Sequence, residues 1–257
     1  MDIKKEVQGQ FGRSAASYVT SDVHRNGKDL TKLIELANTT GKEKALDVAT
    51  GGGHTANALA PYVRQVTAFD LTEAMLLAAE KFMKGNGCDN VDFVKGDAEQ
   101  MPFADAVFDI VTCRIAPHHF PNVESFIAET YRVLKPGGAF LLDDNVAPEN
   151  DDFDQFINKV EKMRDTSHFR LWKKSAWLRM LELRGFQVQE WHQFEKLLDF
   201  DDWCRRMQLG KENQERLNAL MVDASEDIHR HFDIIIKNGR VQSFKLETIL
   251  VKAIKRL

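Results

Sequence analysis

The sequence predicts an α/β protein whose core is a doubly wound, mostly parallel sheet of seven strands. Two observations lead to this prediction. From Gly41 onward, short apolar runs alternate with stretches of helical period, which is the pattern of βαβ units. Near the C-terminus, Asn238-Gly239 separates two apolar runs, which is a strong hairpin signal and makes the last strand antiparallel.

The first 145 residues contain five predicted strands and the helices that connect them. The helices begin near Thr55, Thr72 and Asn122, and the side chains of Thr72 and Asn122 can accept hydrogen bonds from a helix start. Gly85 ends the second helix, and Pro136 ends the third because proline cannot continue a helix. The predicted strands are Ala45–Ala49, Gln65–Asp70, Val91–Lys95, Phe108–Cys113 and Ala139–Asp143.

The two ends of the chain depart from this alternation. The first forty residues are polar and predicted to be helical. After residue 150, the predicted elements are helices near 153–165 and 175–184, a strand at Phe186–Trp191, a helix-rich insertion at about 198–230, and a terminal strand at Phe244–Ile254. The strand after the hairpin turn completes the sheet.

Composition excludes several classes of function. A formal net charge of −4 leaves no basic field that would hold nucleic acid. The start of the chain lacks the apolar run of a signal peptide, and no stretch has the length of a membrane span. Cys88, Cys113 and Cys204 fit neither a disulfide framework nor a zinc site, which indicates reduced thiols and a cytoplasmic protein.

A glycine loop follows the first predicted strand, in Leu46-Asp-Val-Ala-Thr-Gly-Gly-Gly-His54. Backbone N–H groups can approach a ligand closely there because glycine carries no Cβ. Gly51, Gly53 and Ala56 also match the Gly-x-Gly-x-x-Ala fingerprint of dinucleotide-binding proteins. The loop by itself therefore fits a nucleotide-type cofactor, a dinucleotide, or merely a tight turn between strand and helix.

Two carboxylates follow neighbouring strands of the predicted sheet. Asp70 ends the second strand, where a carboxylate can accept both hydroxyls of a ribose. Asp97 follows the third strand and could accept a hydrogen bond from an exocyclic amine, while Ala98 and Met101 offer apolar contact to a purine. The alternatives are a solvated carboxylate at Asp70 and a helix cap at Asp97.

Taken together, these segments resemble the class I S-adenosylmethionine-dependent methyltransferases, in particular the UbiE-type branch named for ubiquinone and menaquinone C-methylation. The segments that resemble the family, in its order, are Phe11–Tyr18 (N-terminal signature), Leu46–Gly53 (glycine motif), Phe69–Met75 (ribose motif), Gly96–Phe103 (adenine motif), Phe108–Val111 (fourth strand) and Arg132–Gly138 (before the fifth strand). The resemblance implies a Rossmann-like methyltransferase fold, with S-adenosylmethionine as cofactor and S-adenosylhomocysteine as product.

The resemblance also implies a set of cofactor-binding residues. The candidates are Tyr18, Asp47, Ala49, Thr50, Gly51, Gly53, Asp70, Leu71, Met75, Asp97, Ala98 and Arg114. Ala49 stands where the family often has glycine, and we expect alanine to be tolerated there with a negative φ. Asp47 favours a ligand with a cationic amine and a sulfonium over a pyrophosphate, which it would repel. An NAD(P)-dependent oxidoreductase is the alternative function, followed by a non-catalytic nucleoside-binding protein.

Methyl transfer from a sulfonium is an in-line displacement, so the protein needs no nucleophile of its own. A general base is needed only where the acceptor must lose a proton. His118 and His119 follow the fourth strand and are the candidate catalytic residues, with structural histidines as the alternative. Tyr18 and Asp144 are weaker candidates. No His, Asp and Glu residues have the spacing of a metal site.

We expect one domain over residues 1–257, with a helical lid (1–40), a cofactor-binding core (41–145) and a C-terminal part (146–257) that completes the sheet. The acceptor should lie over the carboxyl ends of the first, fourth and fifth strands, beneath the lid and the insertion. Phe11, Phe120, Trp172 and Trp203 are available to line this site, and the alternative for most of them is a place in the core. The expected partner is a small, apolar or aromatic acceptor rather than nucleic acid, and homodimerisation is left open.

Overall fold

The structure is a computed structural model that describes residues 3–19 and 27–256, without the side chains of residues 13–19. The described helices are α1 (Ile3–Val19), α2 (Lys28–Ala37), α3 (His54–Leu59), α4 (Glu73–Gly85), α5 (Val123–Val133), α6 (Asp151–Arg164), α7 (Lys174–Arg184), α8 (Phe200–Arg206), α9 (Lys211–Val222) and α10 (Glu226–His231). The strands are β1 (Lys44–Val48), β2 (Gln65–Asp70), β3 (Val91–Lys95), β4 (Phe108–Arg114), β5 (Leu134–Ala147), β6 (Trp172–Lys173), β7 (Phe186–Asp199), β8 (Ile235–Lys237) and β9 (Arg240–Lys255). Short 3₁₀ helices occupy Ala60–Tyr62 and Pro117–His119.

All of these strands belong to one sheet with the order β3-β2-β1-β4-β5-β9-β7. The first five strands of this order run parallel, whereas β9 is antiparallel to both β5 and β7. The short strand β6 pairs with the end of β5, and β8 pairs with the start of β9. The predicted fold class is confirmed, and β6 and β8 are additions to the seven expected strands.

The C-terminal hairpin forms at the predicted turn. Asn238 and Gly239 both have positive φ, 52° and 72°, as the type I′ turn requires. The turn joins Lys237 of β8 to Arg240 of β9, and β9 then continues between β5 and β7. Because β7 pairs with β9 as far as Asp199, it extends beyond the strand predicted at Phe186–Trp191.

Two helix starts show how local sequence fixes the element ends. The side chain of Asn122 accepts a hydrogen bond from the N–H of Ser125 at 3.1 Å, as expected of a capping residue. Thr72 also precedes its helix, but its hydroxyl makes no capping hydrogen bond. Instead, the N–H of Thr72 donates to Oδ1 of Asp70 at 2.8 Å, so this helix start is tied to the end of β2.

Apolar side chains cover both faces of the sheet because the residues of each strand alternate between them. On one face, Phe126 of α5 and Trp177 of α7 pack against β4, β5 and β9. On the other face, α2, α3 and α4 form the second cluster, which includes Leu33 and Met83. A third cluster joins α6, α8 and α9 to the start of β9.

The predicted insertion at 198–230 contains α8, α9 and α10. Its Trp203 is 2% exposed and belongs to the third apolar cluster, and Trp172 packs against the cluster of α5 and α7. Trp203 is therefore a core residue, whereas Trp172 is half-buried, and neither belongs to the lining of the cavity described below. Among the described helices, none is both long and apolar enough to cross a membrane.

Gly239 offers a test of the hairpin. Replacing it with alanine should lower the free energy of unfolding by about 1–2 kcal/mol, because an L-residue is strained at positive φ. Gly85→Ala is the matched control, since an added Cβ meets no atom within 4 Å at either position and Gly85 is helical. The control should be neutral or stabilising by up to about 1 kcal/mol. Urea unfolding of both variants measures the difference, and equal effects would contradict the turn geometry.

Candidate active site

A cavity lies over the carboxyl ends of β3, β2, β1 and β4 and has about 990 Å³ of empty space, counting its open mouth. Its lining follows the order of the strands. Asp97 and Ala98 follow β3, Asp70 ends β2, and the loop after β1 comes next. Arg114 and the segment up to Pro121 line the end over β4.

The glycine loop is folded so that one glycine faces the cavity and another faces a helix. A Cβ added to Gly51 would meet only the carbonyl oxygen of Ala49, at 4.0 Å, so the space in front of this residue is open. A Cβ added to Gly53 would lie 3.0 Å from Cβ of Ala79 and 3.2 Å from Sδ of Met83. Gly53 therefore allows α4 to pack closely against the loop and does not line the cavity.

Asp47 lies beneath the glycine loop. Its Oδ2 accepts hydrogen bonds from the Thr50 hydroxyl (2.7 Å) and the Ala56 N–H (3.1 Å), and its Oδ1 accepts one from the Thr112 hydroxyl (2.7 Å). Burial raises the pKa of this carboxyl to about 6, although the hydrogen bonds from Thr50 and Thr112 oppose the shift. Asp47 is not part of the cavity lining, so it acts by holding the loop.

Asp70 lines the cavity and accepts a hydrogen bond from the glycine loop. Its Oδ2 accepts the Gly51 N–H at 2.9 Å, and its Oδ1 accepts the Thr72 N–H at 2.8 Å. Burial raises the pKa of Asp70 despite these two backbone hydrogen bonds. Because a carboxylate oxygen has more than one lone pair, both oxygens keep capacity for a pair of ligand hydroxyls.

The β3 end of the cavity is closed by an ion pair with α1. Nζ of Lys4 lies 2.6 Å from Oδ2 of Asp97 and 2.5 Å from Oε2 of Glu99. Oδ1 of Asp97 accepts the N–H of Glu99 at 2.9 Å, so this aspartate also stabilises its own turn, as the alternative interpretation predicted. No spacing or motif in the sequence pointed to Lys4.

Helix α1 lies across the mouth of the cavity, where Lys4, Val7 and Phe11 contribute to the lining. Nε2 of Gln10 donates to the carbonyl oxygen of Met207 at 3.3 Å, which links α1 to the loop after α8. The side chain of Tyr18 lies outside the described part of the chain.

The two adjacent histidines have different environments. His119 lines the cavity, and its Nδ1 lies 3.1 Å from the carbonyl oxygen of Ser167. Burial and the neighbouring charge of His118 lower the pKa of His119. His118 lies outside the lining, and although burial lowers its pKa, the carboxylate of Asp144 at 2.6 Å from Nδ1 raises it above the ordinary value.

Four ionisable side chains meet behind the β4 end of the cavity. Nη2 of Arg114 lies 2.7 Å from Oδ2 of Asp29, and its Nε lies 3.2 Å from Oδ2 of Asp143. Nζ of Lys196 lies 3.5 Å from the same Asp29 oxygen. Burial raises the pKa of Asp143 to about 8. Burial also acts to raise the pKa of Asp29, but Lys196 and Arg114 outweigh it and hold that pKa well below its usual range.

Two residues of the lining have strained backbones. Ala49 has φ 53°, so the expectation of a negative φ at this position is wrong. Ile115 also has φ 53°, which is rare for a β-branched residue. These residues directly follow β1 and β4, where the chain leaves the sheet and passes the cavity. Backbone strain of this kind is concentrated at functional sites.

Most of the candidate residues lie in the cavity wall. The lining includes Ala49, Thr50, Gly51, Asp70, Leu71, Met75, Asp97, Ala98, Arg114, His119, Phe11 and Phe120. Asp47, Gly53 and His118 lie outside it. Sequence reasoning missed Lys4 and Val7 in the lining and Asp29 and Lys196 behind it, because each belongs to a segment without a motif. It also missed Glu99, which lies within the adenine motif but was given no role there. Within residues 3–19 and 27–256, no three His, Cys, Asp or Glu residues are arranged to hold a metal ion.

Comparisons with known proteins identify the chain as a methyltransferase. A family model described as "Methyltransferase domain" matches residues 46–142. The uncharacterized methyltransferase YcgJ of Bacillus subtilis is 36% identical over 247 residues, which cover 96% of this chain and 98% of the relative. The crystal structure of a candidate methyltransferase from Bacillus halodurans is 55% identical, with a TM-score of 0.88 over 90% of this chain and 100% of that one.

A relative matched over a shorter stretch is the ubiquinone/menaquinone biosynthesis C-methyltransferase UbiE of Brucella anthropi. It is 41% identical over 145 residues, which cover 52% of this chain and 55% of the relative. The likeness to UbiE therefore extends over about half of the chain.

Ala49→Gly should raise the free energy of unfolding by about 1 kcal/mol, because glycine adopts positive φ without the steric cost that alanine has. Ala45→Gly is the control. It lies inside β1, where glycine should cost about 0.5–1 kcal/mol. Denaturant unfolding compares the two variants with the parent. Destabilisation of both would show that Ala49 is not strained.

His119 should make the protein less stable in mild acid. Because its pKa is lower in the folded state than in the unfolded chain, the unfolded chain binds more protons below about pH 6.5. The free energy of unfolding should therefore fall by about 1 kcal/mol per pH unit as the pH decreases from this value towards the lowered pKa. Unfolding of His119→Gln between pH 7 and 5 should show a shallower decrease than the parent, and an identical slope would refute a buried neutral imidazole.

Proposed function

This chain belongs to the S-adenosylmethionine-dependent methyltransferases, and we propose that it methylates a small, apolar or aromatic acceptor bound in the cavity. The cofactor, when bound, supplies a methyl group on a positively charged sulfur. The observation that carries the proposal is the order of chemical groups along the cavity. A carboxylate over β3 can accept a hydrogen bond from an amine, and a carboxylate over β2 can accept hydrogen bonds from a diol. An open glycine loop follows over β1, and the end over β4 is apolar.

We assign the cofactor to the part of the cavity over β3, β2 and β1. Oδ2 of Asp97 would accept a hydrogen bond from the adenine amine, with Ala98 against the purine ring. Asp70 would accept the two ribose hydroxyls. Gly51 would lie beside the sulfur that is attached to the adenosine, because the space that a Cβ would fill there is open to a ligand.

The same groups disfavour a nicotinamide dinucleotide. A pyrophosphate bound at the glycine loop would lie close to Asp70 in the cavity wall and above Asp47, and both carboxylates would repel it when ionised. A sulfonium carries the opposite charge and is attracted by them. The charge around the loop therefore supports a methyl donor over the oxidoreductase alternative.

Catalysis would depend mainly on placing the acceptor in line with the methyl group. Holding two reactants in a productive geometry can supply about 7–11 kcal/mol of the barrier in favourable cases. The walls of the cavity and the covering helix α1 would hold the acceptor in line with the methyl group. They would also keep water away from the acceptor.

His119 is the candidate that could act on a proton of the acceptor. A carbonyl oxygen only accepts hydrogen bonds, so the contact with Ser167 places the proton of a neutral imidazole on Nδ1. Nε2, which lies 4.0 Å from Oδ2 of Asp165, then keeps its lone pair and could accept a hydrogen bond from an acceptor O–H or N–H. His118 lies outside the lining, and its Nδ1 is bound to Asp144. Its charge would help to keep the pKa of His119 low.

The acceptor end of the cavity supports an apolar or aromatic molecule. Its lining comprises Val7, Phe11, Ile115, Ala116, Phe120 and Pro121, with His119 among them. Phe11 packs edge-on against His119, with ring centroids 5.0 Å apart, so α1 contributes directly to this wall. We propose that the cofactor-binding core is related to the UbiE-type branch. We also propose that α1 is the lid of the acceptor site.

Asp70→Asn provides the test. The change removes the charge from hydrogen bonds to the ribose hydroxyls and should weaken binding of S-adenosylhomocysteine at least about tenfold. Asp89→Asn, an exposed carboxylate outside the cavity, is the control and should bind like the parent. Isothermal titration with S-adenosylhomocysteine and with NAD(P) measures the affinity of the parent and of each variant for the two ligands. Binding of NAD(P) but not S-adenosylhomocysteine by the parent would refute the proposal.

A further inference from the structure

The residue that follows β4, Ile115, combines a strained backbone with a side chain in the cavity wall. Its φ of 53° lies in the left-handed region, where the Cβ of an L-residue approaches the following carbonyl oxygen. A β-branched residue is rarely found there. Among the residues that the structure describes, Ile115 is the only β-branched residue with positive φ.

The backbone conformation of Ile115 is fixed by its neighbours and does not need an isoleucine. Its N–H donates to the carbonyl oxygen of Asp143 at 2.7 Å, which ties it to β5, and the 3₁₀ helix Pro117–His119 begins shortly after it. Glycine or asparagine would adopt this conformation at lower cost. The chain has asparagine in such positions elsewhere, at Asn38 (φ 47°) and Asn238 (φ 52°).

Packing of the core does not account for the isoleucine either. None of the three apolar clusters formed by the described residues includes Ile115, whereas Ala116 and Phe120, its neighbours in the cavity wall, pack against the cluster of α5 and α7. The side chain of Ile115 is half-buried and lines the cavity. Strain that is retained without a gain in core packing is typical of functional sites. These observations indicate that the side chain serves a ligand.

The place of Ile115 along the sheet identifies the part of the ligand that it faces. The cofactor is assigned above to the part of the cavity over β3, β2 and β1, and Ile115 follows β4, shortly before His119. The side chain therefore belongs to the acceptor end. It forms no directional bond and contributes only shape and apolar contact, and in an apolar pocket a single methylene changes discrimination by about tenfold or more.

Resting on the proposed function, we propose that Ile115 is a specificity-determining residue that limits the size of the acceptor's apolar body. A β-branched side chain has few rotamers, so it forms a stiff wall. His119 would bind a polar group of the acceptor, and Ile115 would restrict the space left for the apolar rings. The backbone strain is then the cost of a tighter fit to the acceptor.

A purely structural side chain would behave differently. If Ile115 stabilises the protein by packing, replacing it with a small or polar residue lowers the free energy of unfolding. If it serves the acceptor, a residue that tolerates positive φ keeps or raises that free energy and changes only the binding of acceptors. The sign of the stability change and the selectivity for acceptor size therefore separate the two roles.

The first measurement is urea unfolding of Ile115→Gly and Ile115→Asn. Both variants should keep or raise the midpoint of the parent, because both residues adopt positive φ readily. Ala106→Gly is the matched control. Ala106 has φ 56°, but it is exposed and outside the cavity lining. Its replacement should raise the midpoint and leave the binding of every ligand unchanged.

The second measurement uses 2-naphthol and 9-phenanthrol, which carry the same hydroxyl on two and three fused rings. Each is titrated into protein saturated with S-adenosylhomocysteine. Ile115→Gly should weaken 2-naphthol roughly tenfold and 9-phenanthrol by about threefold or less, because the larger molecule fills the space that the side chain leaves. Ile115→Asn retains more of the side-chain volume and should change the ratio of the two affinities less. The affinity for S-adenosylhomocysteine should stay within about twofold of the parent in each variant.

A lower urea midpoint in both Ile115 variants, or an unchanged ratio of the two affinities, would overturn this inference. If the parent saturated with S-adenosylhomocysteine binds neither aromatic probe, the acceptor end does not accept such molecules. The inference about Ile115 then fails while the assignment of the cofactor stands. If the parent does not bind S-adenosylhomocysteine, the proposed function itself fails.

Discussion

The buried carboxylate of Asp47 is the constraint on which the glycine loop and the cavity beside it depend. It binds the Thr50 hydroxyl, the Ala56 N–H and the Thr112 hydroxyl, and thereby joins the glycine loop, the start of α3 and strand β4. An unpartnered carboxylate at this depth would be costly, so the three donors must stay in place. This arrangement holds the loop while Ala49 is kept at positive φ, and it leaves the space in front of Gly51 open.

A second carboxylate extends this arrangement into the cavity. Asp70 accepts an N–H from Gly51 of the loop and another from Thr72 at the start of α4, so the loop and the helix are placed relative to the end of β2. At the far end, Arg114 is held by Asp29 and Asp143 in the same way. Across the cavity, therefore, side chains at the strand ends are fixed by partners from other elements. Methyl transfer benefits from such rigidity because it depends on alignment rather than on a protein nucleophile.

The adjacent histidines illustrate how two identical side chains acquire different properties. His118 is held next to Asp144, which stabilises its charged form, whereas His119 is buried beside that charge and remains neutral. The sequence placed both after β4 and offered no means of choosing between them. The short 3₁₀ helix at Pro117–His119 turns one ring towards Asp144 and the other towards the cavity and Phe11. Of the two histidines, only His119 lines the cavity.

The sequence by itself determined the parallel core, the glycine loop, the positions of Asp70 and Asp97 and the hairpin at Asn238-Gly239. These features depend on local patterns, namely apolar periodicity, glycine at positive φ and polar residues at strand ends, and such patterns are visible in a short stretch of chain. Only the tertiary structure placed Asp47 beneath the loop, put Trp203 in the interior and assigned positive φ to Ala49. It alone brought Lys4 next to Asp97. It also brought Asp29 next to Arg114, and Lys196 next to Asp29. These contacts join residues far apart in the chain, and their strength comes from burial and from neighbouring charges, which no local pattern encodes.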